Sequence, residues 1–278
     1  MSSYIYFTKF HANKTHDTAL QIKEKDTMSL LGQKRQPQRK DPRVLVLFGQ
    51  PKVGKTTVLS QLDDCLILDT EQGADYVEGH IKNINSMADL VEFANELRNT
   101  PDHGIKYLAI DTIDKIEDWT SAGLCVQHKA DHIGEVGNFG AGYAFLRENM
   151  VKTLNTLKSL VPYLIIVGHR KLAAIQNKEG VDIVQPEMLD LTGKVKKAVC
   201  NNADAIGYIS RETDTGKLLV SFKSGEALEA GTRCDHLKGQ VMPFEWSNIY
   251  VEGQSTTKEA PSVPAPQKEV SEAMAATA

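Results

Sequence analysis

The chain has 278 residues, of which 41% are hydrophobic and 24% charged, and its net charge is −4. That is enough apolar material for one large α/β domain with tails, and too acidic a balance for a molecule that binds nucleic acid with its whole surface. No apolar run reaches the length of a bilayer-spanning helix. The amino terminus lacks the basic start and long apolar stretch of a secretory signal. Cys65, Cys125, Cys200 and Cys234 show no C-x-x-C spacing, which speaks against zinc and for reduced thiols in a cytoplasmic protein.

Residues 1–41 read as a polar, basic arm outside the core. Lys34, Arg35, Arg39, Lys40 and Arg43 gather around Pro37 and Pro42. Such a run is a solvated linker, or an arm that touches a phosphate backbone or a neighbouring subunit. The core is expected over 42–250. It opens with Val44-Leu-Val-Leu-Phe48, a short β-branched apolar run suited to a strand buried on both faces. Gly49, Gln50, Pro51, Lys52, Val53, Gly54, Lys55, Thr56 and Thr57 follow, and they fit the phosphate-loop pattern G-x-x-x-x-G-K-[ST] in full. Gly49 and Gly54 let the backbone curl so that its N–H groups face a phosphate at a helix N-terminus. Lys55 is expected to reach the terminal phosphates and the Thr56 hydroxyl to ligate Mg²⁺.

Cys65-Leu-Ile-Leu-Asp69 reads as the second strand, with Thr70 to Gly73 as the loop at its carboxyl end. Open α/β sheets bind ligands along that edge, so Glu71 is a candidate to orient and deprotonate an attacking water. Ser86 caps a helix whose apolar stripe is Met87, Leu90, Val91, Ala94 and Leu97. Tyr107-Leu-Ala-Ile-Asp111 is a buried strand ending in a carboxylate, the arrangement that holds Mg²⁺ opposite a phosphate-loop threonine. Asp114 reads as the N-cap of the helix that follows.

Between Gln127 and Tyr143, Gly134, Gly137, Gly140 and Gly142 surround Phe139 and argue for a mobile loop. His128 and His132 have no third ligand near them and read as solvated. Leu146 to Val161 carries a long amphipathic helix ended by Pro162. Tyr163-Leu-Ile-Ile-Val-Gly168 is a further buried strand with His169 at its tip, where a polar side chain can feel the terminal phosphate. The polar stretch from Arg170 to Asp190 is long for an internal connection. Val195–Asn202 reads as a helix, and Ala205–Ile209 with Leu218–Phe222 as a hairpin closing the sheet. Residues 251–278, rich in Ser, Thr, Pro, Ala and Glu, are expected to be a disordered tail.

Gly49–Thr57, Leu68-Asp-Thr-Glu71, Leu108-Ala-Ile-Asp111 and Ile165-Ile-Val-Gly-His169, followed by the hairpin, resemble the RecA-like division of the phosphate-loop ATPases over roughly residues 42–248. Phe139-Gly-Ala-Gly-Tyr143 before a long helix, and Gly-His after the fourth strand, look like the phage-encoded Sak-type RecA-core proteins of single-strand annealing and recombination. The resemblance implies an α/β fold with a mostly parallel sheet flanked by helices and ATP with Mg²⁺ as cofactors. It also implies single-stranded DNA and a single-strand-binding protein as partners, and a homo-oligomeric ring or filament. Glu71 matches the family's catalytic base, Lys55 and Thr56 its phosphate and Mg²⁺ binders, and Asp111 its second Mg²⁺ carboxylate. His169 stands where RecA proteins carry a glutamine that senses the terminal phosphate. The loops at 127–143 and 170–192 match DNA-binding loops by position, which makes Arg170, Lys171 and Lys178 candidate nucleic-acid contacts. Lys223 lies near where such proteins supply a lysine to a neighbour's ATP. The competing class is a nucleotide-dependent adaptor or helicase-loading switch with weak ATPase. A kinase is disfavoured by the scattered arginines, and a partition-type ATPase by Gln50 directly after the first glycine of the loop.

Overall fold

The computed structural model describes residues 36–171, 174–176, 182–184, 187–225 and 228–252. The arm up to residue 35, Lys178, and the tail from 253 lie outside the described residues. Every element below belongs to the unit that begins at Arg39.

Strand β1 (Val44–Gly49) is buried along its whole length and forms the centre of the sheet. Alternate side chains leave it on opposite faces, as the period of two in a strand demands. Val44, Val46 and Phe48 enter one apolar cluster, and Leu45 and Leu47 enter the other. Helix α1 (Lys55–Ser60) leaves its carboxyl end. The chain then builds β2 (Cys65–Asp69), β3 (His80–Asn83), α2 (Met87–Arg98), β4 (Tyr107–Asp111), α3 (Ile113–His128), α4 (Ala141–Leu160) and β5 (Tyr163–Lys171). A small pair follows, β6 (Ala174–Gln176) and β7 (Asp182–Val184), and then β8 (Met188–Leu189), α5 (Gly193–Asn202) and β9 (Ala205–Arg211). The carboxyl-terminal part supplies β10 (Leu218–Ser221), β11 (Gly231–Thr232), β12 (Val241–Pro243) and α6 (Trp246–Ile249).

The sheet runs β12-β10-β9-β1-β5-β4-β2-β3. Along this path the neighbours from β9 to β3 are all parallel, and β8 on β5, with β10, β11 and β12 at the other end, add antiparallel partners. Helices α2 to α5 cover one face and bury Leu90, Phe93, Ile116, Leu146, Met150 and Val199 there. Helix α1 and the carboxyl-terminal segment cover the other. On that side the rings of Tyr107, Tyr163 and Tyr250 stand 4.8–5.2 Å apart, and Trp246 donates its Nε1–H to the Val58 carbonyl at 2.6 Å. The architecture is the expected α/β one, a mostly parallel sheet flanked by helices.

Several local expectations are corrected. The β9–β10 hairpin does not close the sheet, because β12 pairs with the outer edge of β10. In α2, Phe93 takes the buried place expected of Val91, which sits on the flank of the stripe. The glycine-rich stretch is pinned at its middle. Val136 is fully buried, His132 Nδ1 accepts from the Gly134 amide at 3.2 Å, and a Cβ on Gly142 would lie 2.0 Å from the Ile133 carbonyl oxygen. Glycine at 142 is what lets α4 start against this turn. Phe139 remains fully exposed at its tip, and His128 is exposed as expected, with its ring stacked on Phe145 at 5.7 Å.

Candidate active site

Four strand ends converge on one open cleft of about 590 Å³, in the range of nucleotide-sized pockets. The topology dictates this: β1, β2, β4 and β5 are parallel neighbours, so their carboxyl ends share an edge. The cleft is lined by the phosphate loop, Asp69, Glu71, Tyr76, Asp111 and His169 among others.

The loop between β1 and α1 has Lys52 and Gly54 in the left-handed region, with φ of 63° and 115°. Lys55 is buried and its Nζ donates to the Gln50 carbonyl at 2.9 Å, so its charge is held at the base of the loop. Burial pushes the Lys55 ammonium down, while Asp111, Asp114 and Glu71 pull it back. The Thr56 hydroxyl donates to Asp111 Oδ2 at 2.6 Å. Burial drives the Asp111 carboxyl above its ordinary value, against the Thr56 hydrogen bond and Lys55. A hydroxyl and a carboxylate meeting in a cleft lined by the phosphate loop are hard oxygen donors, and a cation there would relieve that burial cost. The donor set fits Mg²⁺.

Asp69 fixes the loop after β2. Its Oδ1 accepts from the amides of Glu71 and Gly73 at 3.0 and 3.2 Å, and its Oδ2 from Ala74 at 2.9 Å. Thr70 ties this loop to the end of β4: its hydroxyl donates to the Thr112 carbonyl at 2.9 Å and accepts from the Thr112 amide at 2.7 Å. Glu71 is therefore a partly shielded side chain on a tightly held backbone. His169 bonds Asp114 Oδ2 through Nδ1 at 2.7 Å, and its Nε2 stands 3.7 Å from Glu71 Oε2. The cap of α3 is Thr112, and Asp114 lies in the first turn with its carboxylate on His169. That corrects the expectation of Asp114 as N-cap. His169 is also not a strand tip, since β5 runs on to Lys171 and the Asp190 amide donates to the His169 carbonyl at 2.9 Å.

A family profile described as an AAA domain matches residues 41–234. The chain belongs to this AAA-domain family. No curated protein matches. Among solved structures, the crystal structure of the RadB recombinase is similar, with a TM-score of 0.42 and 12% identity over 75% of this chain and 90% of that chain. Membership of the AAA-domain family makes the chain a nucleotide-binding ATPase, and no helix among its described residues is long and apolar enough to cross a membrane.

The AAA domain brings Pro51, Lys52, Gly54 to Thr57, Glu71, Asp111 and His169 to one cleft, whereas Gly49 and Gln50 are not in its lining and Val53 is buried in the core. It does not leave Arg170 available for nucleic acid. Arg170 turns inward to Glu187 at 2.5 Å and the Tyr208 hydroxyl at 3.1 Å, and it meets the Gln50 side-chain amide. Lys171 stays on the surface in an ion pair with Asp190 at 3.2 Å. Lys223 is exposed beyond β10 and is not part of this cleft's lining. Sequence reasoning passed over Asp69 and Tyr76. An aspartate directly before Thr-Glu-Gln-Gly signals a side chain that bonds the amides of its own turn. Tyr76 is an exposed aromatic in a polar loop of the ligand edge.

Proposed function

We propose that this protein is an Mg²⁺-dependent ATPase that acts on single-stranded DNA, in recombination or annealing of the phage-encoded kind, as a homo-oligomer. What carries the hydrolytic part of this reading is the meeting of Lys55, Thr56, Asp111, Glu71 and His169 in one cleft. The phosphate-loop amides and Lys55 hold the β- and γ-phosphates of ATP. Thr56 and Asp111 would hold Mg²⁺, and the ion would supply charge neutralisation to the nucleotide. Glu71 orients the attacking water and takes its proton. The exposed Tyr76 ring on the cleft wall offers a face for the base of the nucleotide.

The DNA part rests on the loop between α3 and α4. It presents the Phe139 ring fully to solvent, between glycines with φ of 69° and 76°. An exposed ring on such a tip is a stacking partner for unpaired bases. With a net charge of −4, contact must be local. Lys129 and Lys171, and Lys178 beyond the described residues, are the cations the candidate loops offer, and Lys223 is a candidate to act on a neighbouring subunit's ATP. A single-strand-binding protein is the proposed partner.

The adaptor reading has one observation in its favour: Arg170 is taken up internally rather than offered to DNA. Turnover of ATP with and without single-stranded DNA at low salt separates the two. Stimulation supports the DNA-acting ATPase. Turnover that ignores DNA, together with no gel shift of single strands, leaves the adaptor.

A further inference from the structure

His169 lies between two carboxylates, one on each ring nitrogen. Nδ1 is 2.7 Å from Asp114 Oδ2, and Nε2 is 3.7 Å from Glu71 Oε2. All three side chains are mostly shielded, with 23–31% relative exposure. The packing that brings them together is specific. A Cβ on Gly168 would lie 2.4 Å from Leu189 Cδ1 in β8 and 3.2 Å from Ile113 Cγ2, so the absence of a side chain at 168 lets β5 pack closely against β8 and the first turn of α3. Asp114 sits in that turn.

The Asp114 contact decides what the other nitrogen does. A neutral ring donating from Nδ1 would point an Nε2 lone pair at the Glu71 carboxylate, an acceptor facing an acceptor. A cationic ring has a proton on both nitrogens and satisfies both sides. We propose that Asp114 is a positioning residue for ATP hydrolysis: it holds His169 through Nδ1 so that Nε2–H is aimed into the cleft beside Glu71, as a cationic donor to the terminal phosphate. This rests on the ATPase reading. It gives the site a second positive group, besides Lys55, where negative charge gathers in the transition state.

The charged groups that face the ring are Asp114 from α3, Lys55 from α1 and Glu71 from the loop after β2. Asp190, whose amide bonds the His169 carbonyl, turns its carboxylate to Lys171. The Asp114 hydrogen bond raises the His169 pKa, against burial and Lys55.

The test uses full-chain protein labelled with ¹⁵N-histidine, with His169→Gln to assign the ring, and long-range ¹H–¹⁵N spectra recorded across pH. In the nucleotide-free wild type the ring should carry both protons at neutral pH and titrate above free histidine. Asp114→Asn should move that midpoint down by about 1–3 units. It should also lower kcat at neutral pH by about ten-fold or more with KM for ATP unchanged, and bring the alkaline fall of kcat to lower pH. Asp114→Glu should restore the pH profile. A lowered kcat with an unmoved profile would make Asp114 a merely structural residue and overturn the proposal. Should the asparagine variant not fold, the wild-type ring decides alone: titration at or below free histidine overturns the pairing. A wild type that hydrolyses ATP but shows such a ring loses only this inference. A wild type with the paired ring and no turnover loses the ATPase reading.

Discussion

At the scale of single residues, the proposed function assigns binding to some groups of the cleft and reaction to others. Lys55 is buried against the loop it serves, so Lys55→Ala should abolish measurable ATP turnover while circular dichroism stays unchanged. Glu71 makes no contact that the fold depends on, its backbone being held by Asp69. Glu71→Gln should therefore keep ATP affinity, read by calorimetry, and lose about 10²–10⁴-fold in kcat. Stability should report the His169–Asp114 pair. For Asp114, burial alone would raise the pKa, but the His169 hydrogen bond and charge leave it lowered, so its contribution fades as pH falls through that depressed value. For His169 the pKa is raised, so its contribution is fully present below the unfolded value and fades as pH rises through the folded one. The pair thus stabilises most between those two limits. The urea midpoint of wild type minus that of Asp114→Asn should be largest in that window. The sequence alone made Lys55, Thr56 and Asp111 readable because their spacing and strand context are rigid requirements of phosphate chemistry. Asp114 was misread because an aspartate near a helix start fits a cap equally well, and its real partner is 55 positions away.

At the scale of elements, loops matter more than helices. Asp69 satisfies three amides of the turn that carries Glu71. Asp69→Ala leaves them unpaired, at about 1–3 kcal/mol for each that stays buried, and should lower both the urea midpoint and kcat. Gly142→Ala drives a methyl against the Ile133 carbonyl and the Val136 side chain. A loss of about 1–3 kcal/mol in urea unfolding is expected from such overpacking. Long elements were legible because their periods are clear: β1, β2, β4, α2 and α4 stand where the apolar pattern puts them. β3 escaped notice because a polar edge strand, His80-Ile-Lys-Asn83, carries no apolar run. β11 and β12 are too short to show a period of two. In the glycine-rich stretch, composition speaks for mobility. In the structure one side chain of that stretch, Val136, is fully buried.

At the scale of the whole molecule, the parallel sheet carries the cleft at the carboxyl ends of its strands, and a small antiparallel pair, β6–β7, follows β5 in the chain. If single strands are the substrate, Phe139→Ala should weaken their binding by about 1–3 kcal/mol for each base that stacks there, measured by fluorescence anisotropy against the wild type. A small slope of affinity against salt should accompany it, since few cations face the candidate loops. The α/β class was legible from alternating strands and helices, whereas subunit assembly was not, because no periodic sequence signal encodes a surface that fits a copy of itself.

The chain holds two tryptophans, Trp119 and Trp246. The indole of Trp246 hangs from the Val58 carbonyl, within the short helix that begins with Lys55 and Thr56. Any shift of that helix on triphosphate capture must alter the polarity around the indole. With Trp119→Phe as background, its emission gives the protein a built-in optical gauge of occupancy, readable in a stopped-flow cell without dye or label.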